Sequence, residues 1–230
     1  ERLNKEKDCI GMYISSHPLD EYKVVFQQVC NITSAQLSNN LEPLYGKKLI
    51  FGGMVTDALN AVSSKTGKPF GKLTFNDYVG SYEIAFFGKD YIDFNKYIAK
   101  GLYLLFVATV QKKGEDWKYY KPKPGEPVEY QLKVTKIYPL SETPLDTFIK
   151  QVNLKIPFQN VNGNLIDNLT AILNNTKQEG KIPLWLHLYD KNKEFIHVDS
   201  MCQLQQLELK NEQYEALMQA QKDEELTFTI

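Results

Sequence analysis

Hydrophobic and polar positions change their period twice along the chain, and the changes divide it into three stretches. Residues 1–45 follow a helical pattern in which apolar residues share one face as far as Ile14. A proline suits the first turn of a helix, so a second helix is expected over about Pro18–Gln28. Thr33 and Ser34 can then cap a short helical turn. The pattern predicts a helical lead-in.

Residues 46–138 alternate with the period of β-strands. Five runs are rich in β-branched and aromatic residues, namely Ile50–Thr56, Lys72–Asp77, Tyr82–Phe87, Leu102–Gln111 and Glu129–Ile137. Tyr91, Phe94 and Ile98 mark a short helix between the third and fourth runs. Three strands, a helix and two strands are the layout of an OB-fold, a small five-stranded barrel. A five-stranded half-sandwich with a loose helix is the alternative.

Residues 139–230 mix both periods after a linker at Ser141–Pro144. The expected elements are strands at Val152–Phe158, Ile182–Leu188, Glu194–Val198 and near Leu204–Leu209, and helices at Leu165–Thr176 and about Asn211–Lys222. The predicted fold class is therefore mainly β with α+β. It comprises a helical lead-in (1–45), a five-stranded OB-fold barrel (46–138) and a small α+β C-terminal domain (139–230).

The net charge of −1 conceals a segregation of charge along the sequence. Residues 46–138 carry 15 basic and 9 acidic side chains, whereas the stretches before and after them have net charges of −2 and −5. A basic block between acidic ones indicates that the middle meets a polyanion while the ends meet protein or solvent. Chance drift of charge along the chain is the alternative explanation.

Composition excludes several classes of protein. A chain that is 43% hydrophobic and 24% charged is typical of a folded, soluble protein. No apolar run is long enough to span a membrane, so no membrane partner and a cytoplasmic location are expected. The first residues contain neither an initiator Met nor a signal peptide, so the sequence is expected to be a piece of a longer chain.

Two predicted barrel loops combine lysines with aromatic residues. The first, Ser63–Lys72, has three lysines and no acid, and the second, Lys112–Lys123, has five lysines and two acids. They join strands one to two and four to five, the loops with which OB-folds grip oligonucleotides. Lysines neutralise phosphates, and aromatic faces stack on the bases of single strands. The expected nucleic-acid-binding residues are Lys65, Lys68, Phe70, Lys72, Lys112, Lys113, Trp117 and Tyr119. Solvated lysines and sideways-packed aromatics are the alternative.

Alternation also assigns the two faces of the second strand. Leu73 and Phe75 should point into the barrel, and Lys72, Thr74 and Asn76 should point outward. Catalytic patterns are missing from the sequence: there is no Gly-rich phosphate loop, nucleophile elbow or zinc-protease motif. The three cysteines are too dispersed for a zinc site or a disulfide framework. We expect no active site, metal or cofactor.

Two segments resemble the alpha subunit of bacterial DNA polymerase III. Glu6–Tyr22 is similar to the signature E-K-x-x-x-G-x-Y-x-S-x-H-P-L-x-x-Y, which in that family joins the helix-hairpin-helix and clamp-binding region to the OB domain. Gly53–Phe87 resembles the succession G-x-V, K-x-G-K and V-T-L-x-D-x-x-G-x-x-E-x-x-x-F. The resemblance is looser from residue 139 onward. Lys72 stands where the family commonly has an aromatic residue, and Phe70 lies two positions earlier.

The resemblance implies roles for each part of the chain. In that family the OB domain lies near the single-stranded template, and the C-terminal domain binds the tau subunit of the clamp loader. The family's catalytic aspartates lie in an upstream palm domain, so this chain is expected to be a non-catalytic part of a DNA-directed DNA polymerase. A sliding-clamp motif is expected before Glu1. The apolar stripe expected to anchor tau, which also reads as core, is Leu207, Leu209, Tyr214 and Leu217.

Two other functions remain open from the sequence. An anticodon-type OB module would bind structured RNA, although the acidic tail argues against a synthetase. A structural brace would hold neighbouring polymerase domains without touching nucleic acid.

Overall fold

The computed structural model describes residues 17–115, 127–174, 181–190, 198–207, 209–223 and 226–230. The chain divides into two compact units, the first ending at Thr143 and the second covering Pro144–Ile230. The helix expected up to Ile14 lies outside the described residues.

Strands dominate the first unit. They are β1 (Lys48–Val62), β2 (Pro69–Asn76), β3 (Ser81–Phe87), β4 (Tyr103–Lys112) and β5 (Tyr130–Pro139). The helices are α1 (Lys23–Gln28), α2 (Ser34–Leu37) and α3 (Gly88–Phe94), with 3-10 turns at Asp20–Tyr22, Glu42–Leu44, Asn95–Tyr97 and Leu140–Glu142. The helix expected from Pro18 thus begins as a 3-10 turn, and β1 continues six residues beyond its predicted end.

The five strands form one antiparallel sheet in the order β3-β2-β1-β4-β5. The N-terminal half of β1 pairs with β4, and its C-terminal half pairs with β2. The helix α3 lies between β3 and β4 in sequence, as the OB-fold prediction requires. Lys133 Nζ of β5 lies 2.9 Å from both carboxylate oxygens of Asp90 in α3, so this helix ties the β3 side of the sheet to β5. The mainly β, OB-fold assignment is confirmed.

Aromatic rings fill the centre of the barrel. Phe51, Phe75 and Phe106 come from three strands, with ring centroids 5.3 to 5.5 Å apart, and each is at most 1% exposed. Burial alternates along β2 as predicted: Leu73 and Phe75 are buried, whereas the residues between them are partly exposed. Burying these rings supplies much of the driving force for folding, since each removes about 150–250 Å² from water.

Gly53 allows neighbouring backbone to approach β1 closely. A Cβ atom built at Gly53 would lie within van der Waals overlap of the carbonyl oxygen of Asn76, which is backbone and cannot swing away. Farther along β1, the pairing with β2 slips between Val55 and Asp57, which leaves Thr56 as a β-bulge. The Thr56 hydroxyl donates to Asn76 Oδ1 at 3.0 Å. Bulges bend a strand and redirect its side chains.

The helical lead-in is hydrogen-bonded to the barrel in the same unit. The Asn31 side chain accepts from Ile50 N at 2.8 Å and donates to the Lys48 carbonyl at 3.1 Å, in the manner of a strand neighbour. Ser34, at the start of α2, donates its backbone N–H and its hydroxyl to the Asp77 carboxylate at 2.6 and 2.7 Å. Asp77 also accepts from the backbone of its own β2–β3 turn.

The second unit is a mixed sheet with helices. Its strands are β6 (Val152–Pro157), β7 (Ile182–Tyr189), β8 (Val198–Leu207) and β9 (Thr227–Thr229), in the order β8-β7-β6-β9. Its helices are α4 (Leu145–Phe148), α5 (Gly163–Asn174) and α6 (Asn211–Asp223), with a 3-10 turn at Phe158–Asn160. The sheet is parallel between β6 and β7 and antiparallel elsewhere. The α+β prediction is confirmed. The strand expected near Leu204–Leu209 begins earlier, at Val198, the strand expected at Glu194–Val198 lies outside the described residues up to 197, and β9 was not expected.

Candidate nucleic-acid interface

Outward-facing side chains of β1, β2 and β3 form three rows across one surface of the barrel, here called the outer face. The strand register sets the rows, because directly paired residues point to the same side of a sheet. In order from the β1–β2 hairpin, they are an aromatic row (Ala61, Phe70, Phe87), a lysine row (Leu59, Lys72, Ala85) and an acidic row (Asp57, Thr74, Glu83).

The aromatic row contains two stacked rings, the half-buried Phe70 and the exposed Phe87. Phe70 and Phe87 are direct partners in the β2–β3 pairing, with ring centroids 5.6 Å apart and an angle of 16° between the planes. Phe87 remains 61% exposed, which is unusual for a phenylalanine at the end of a strand. An exposed ring in a nearly parallel pair can extend the stack to a planar ligand such as a nucleobase.

Two lysines stand at the hairpin beside the aromatic row. Gly67 adopts a φ of 64°, which lets its N–H bond to the Ser63 carbonyl at 2.8 Å and closes the turn. Lys65 and Lys68 project from this turn and are exposed. Neither forms an ion pair within the part of the chain that the structure describes. Their charges are therefore available to a phosphate.

Lys72 is held by an acid of the same face. Its Nζ lies 2.8 Å from Glu83 Oε1, and both side chains are partly exposed, at 39% and 53%. An exposed ion pair of this kind contributes about 0–1 kcal/mol, so an approaching phosphate can displace it at small cost. The charge of the lysine row is thus partly neutralised by the acidic row.

The lysines at the start of the second predicted loop also have partners. Lys112 Nζ lies 5.3 Å from the ring centre of Tyr45, and Lys113 forms an ion pair with Glu129. Glu115 accepts hydrogen bonds from the Lys112 backbone N–H at 2.8 Å and from the Tyr45 hydroxyl at 3.1 Å. The bond to Glu115 raises the pKa of Tyr45. The base of this hairpin is therefore electrostatically balanced.

The eight predicted nucleic-acid-binding residues fall into two groups. Lys65, Lys68, Phe70 and Lys72 lie together on the β1–β2 hairpin and β2. Lys112 is the last residue of β4 and Lys113 follows it, next to the opposite end of β1. No hydrogen bond, ion pair or ring contact among the described residues joins the two groups. Trp117 and Tyr119 lie outside the described residues.

Phe87 lies in the aromatic row of the outer face but was not among the predicted site residues. A signal for it existed in the sequence, because Ile84 and Phe86 take the inward positions of β3 and strict alternation then turns Phe87 outward. An aromatic residue in an outward position next to a lysine-rich hairpin is a pattern that indicates a candidate stacking surface. What the sequence could not supply was the register that places Phe87 against Phe70.

The stripe expected to anchor a partner lies in the interior of the second unit. Leu207, Leu209, Tyr214 and Leu217 are between 0 and 4% exposed. Tyr214 packs edge-on against Phe228 of β9, with ring centroids 5.8 Å apart. These side chains stabilise the second unit because they form its core, and a partner docking on the folded unit would have to contact other residues.

The described ranges contain neither a metal-binding cluster of side chains nor a membrane-spanning helix. Within them, no three His, Cys, Asp or Glu side chains are grouped so as to hold a metal ion. No helix there combines the length and apolarity that crossing a bilayer requires.

Curated proteins with similar sequences share one name. The DNA polymerase III subunit alpha of Thermus aquaticus is 30% identical over 115 residues, which is 50% of this chain and 9% of that protein. The Treponema pallidum subunit is 37% identical over 87 residues, 38% of this chain and 7% of that protein. The Helicobacter pylori subunit is 23% identical over 209 residues, 84% of this chain and 17% of that protein. The chain thus spans less than a fifth of each of these relatives.

Other comparisons add little. No protein-family model matches the chain. Among solved structures, the mitochondrial single-stranded DNA binding protein Rim1 of S. cerevisiae is 17% identical, with a TM-score of 0.27 over 41% of this chain and 96% of that one. A score this low does not bear on function. The sequence matches confirm the resemblance that the motifs indicated: the chain is related to the bacterial DNA polymerase III alpha subunit, consistent with the C-terminal region of that subunit.

Proposed function

We propose that the first unit is a DNA-replication module that holds single-stranded DNA on its outer face. The observation that carries the proposal is the exposed Phe87 ring stacked on the half-buried Phe70, beside two lysines with no acidic partner in the described structure. The rings offer a platform for one or two bases, and Lys65 and Lys68 contact the neighbouring phosphates. Sequence similarity to a replicative polymerase subunit supports the choice of DNA as the ligand.

The chemistry of the outer face favours single strands over duplex. The flat faces of bases are open to stacking in a single strand, but they are covered by neighbouring base pairs inside a duplex. The face has no helix that could enter a major groove, since it is built from three strands. Phosphate contacts at the hairpin would add affinity that falls as the salt concentration rises.

The role we propose for the whole chain is non-catalytic. The first unit would hold the template strand near a polymerase active site located elsewhere, and the second unit would dock the tau subunit of the clamp loader. The resemblance to the alpha subunit supports the docking role. Because the predicted apolar anchors are buried, the docking surface must consist of exposed residues of the second unit.

Fluorescence anisotropy with a labelled 12-mer tests the DNA proposal. Phe87→Ala removes half of the ring pair, and Ile92→Ala is a matched control because Ile92 is an exposed apolar side chain of α3 that does not belong to the outer face. Stacking contributes about 1–3 kcal/mol per base, so Phe87→Ala should weaken single-strand binding by about fivefold or more. Equal affinities for the two variants, or a preference for duplex, would contradict the proposal.

A structural brace is the second candidate function. Leu59 of β1, in the lysine row, is 50% exposed, so the outer face also carries apolar surface suited to a neighbouring protein domain. Charge reversal of Lys65, Lys68 and Lys72 separates the two functions. Under the brace, DNA binding by the triple variant matches that of the wild type. Under the DNA proposal, binding is lost at moderate salt.

A further inference from the structure

The outer face is graded in charge from one end to the other. Along β2, the aromatic row is followed after two residues by the lysine row and after two more by the acidic row. At about 3.3 Å per residue, the acidic row lies about 13 Å from the stacked rings and about 7 Å from Lys72. Beyond it the strand leads to Tyr78, an exposed aromatic residue in the β2–β3 turn.

The acids reach the outer face for two separate reasons. The bulge at Thr56 shifts the β1 register by one residue, and this shift places Asp57 directly opposite Thr74. Glu83 pairs with Thr74 from the other side, so two carboxylates flank one threonine across three strands. Both are exposed, and Asp57 has no ionic partner in the described part of the chain.

We propose that Asp57 and Glu83 end the nucleic-acid track, so that a single strand crosses the sheet over the aromatic row and does not follow β2 toward Tyr78. This inference rests on the proposed function. Charges are screened over about 8 Å at physiological ionic strength, so a strand on the aromatic row, about 13 Å away, scarcely senses the acids. A strand following β2 would bring its phosphates within a few ångströms of two carboxylates. Asp57 and Glu83 thereby determine the footprint.

The length of the oligonucleotide provides the first test. A dT 4-mer fits on the aromatic row, and a dT 12-mer is long enough to extend past the acidic row. Asp57→Asn should leave 4-mer affinity within about 1.5-fold of wild type but tighten 12-mer binding about two- to fourfold. Asp93→Asn is the control, because Asp93 is an exposed acid of α3 that belongs to none of the rows. Asp57→Asn is cleaner than Glu83→Gln, which also releases Lys72.

Photocrosslinking locates the strand directly. Three dT 12-mers are used, in which 5-iodouracil replaces one thymine in the first, the middle or the last third of the strand. Each is irradiated with the wild-type chain, and crosslinked peptides are identified by mass spectrometry. We expect crosslinks at Phe70 or Phe87 and none at Tyr78, and in a Asp57→Asn, Glu83→Gln double variant we expect crosslinks at Tyr78 as well.

The outcomes separate this inference from the function beneath it. Crosslinks at both the ring pair and Tyr78 in the wild type, or an Asp57→Asn variant whose 12-mer affinity equals that of Asp93→Asn, overturn the inference and leave DNA binding intact. No binding by the wild type at low salt overturns the proposed function, and this inference with it.

Discussion

Replacing Asp77 by alanine should destabilise the first unit more than any ordinary surface substitution. The carboxylate accepts four hydrogen bonds: Ser34 N–H at 2.6 Å, Ser34 hydroxyl at 2.7 Å, and Val79 and Gly80 N–H at 2.9 Å each. Ser34 is completely buried, so neither of its donors can turn to water when the acceptor is removed. The lost acceptor therefore leaves two orphaned donors in the interior and opens the β2–β3 turn.

The expected magnitude follows from those four bonds. A hydrogen bond to a charged group contributes about 1.5–3 kcal/mol, and a buried unsatisfied donor costs about 1–3 kcal/mol. The two turn amides are more exposed and are worth less, so we expect Asp77→Ala to lower the free energy of unfolding by about 3–5 kcal/mol. Asp77→Asn keeps one acceptor oxygen, and its effect should be intermediate.

Hydrogen exchange during a urea titration measures the loss of unfolding free energy in the first unit separately from the second. Peptides covering residues 30–40 and 74–82 report opening of the first unit, whereas spectroscopic probes would average over both. Asp57→Ala is the control, since it removes an exposed aspartate without a partner among the described residues and should cost less than about 0.5 kcal/mol. If Asp77→Ala lowers the free energy of unfolding by less than about 1 kcal/mol, or by no more than the control does, the stability attributed to these four hydrogen bonds is wrong.

Two further predictions concern a cysteine and a core residue. Burial, and secondarily Asp77, raise the pKa of the Cys30 thiol from 9.0 to about 12. Iodoacetamide at pH 8 should therefore modify Cys30 about a thousandfold more slowly in the native chain than in the urea-unfolded chain. Peptide mass spectrometry follows the modification. The same shift should make stability fall between pH 9 and 12, because the unfolded thiol ionises first. Leu217→Ala should lower the unfolding free energy of the second unit by about 2–5 kcal/mol in denaturant titrations, while an exposed-site control such as Glu212→Ala changes it little.

Alternation made the barrel predictable from the sequence. Inward and outward positions of β2 followed from Leu73 and Phe75, because each strand of a barrel buries one face in a core that excludes polar side chains. The second unit was harder. The sequence predicted one strand ending at Val198 and another beginning near Leu204, yet pairing with β7 carries β8 from Val198 to Leu207, with two register shifts. Tertiary pairing overrode local preference there.

The site was predictable in part, since residue types identify a chemistry but not its partners. The lysines of the first hairpin lie together as expected. The lysines at the end of β4 have neighbours that no sequence rule identifies, because Tyr45 lies 67 positions from Lys112 in the sequence. In the same way, an apolar stripe that includes Tyr214 and Leu217 indicates that these side chains are buried. It does not indicate whether they are buried by the chain itself or by another protein.

The short helix α3 couples opposite edges of the barrel. It begins directly after Phe87, whose ring forms half of the platform, and it is tied to β5 through Asp90 and Lys133. In the DNA complex that we propose, the angle at which the Phe87 ring meets a base is therefore influenced by an ion pair of β5. A contact that drew Lys133 away from Asp90 would shift the ring pair without touching it, and would thereby loosen the proposed complex from behind.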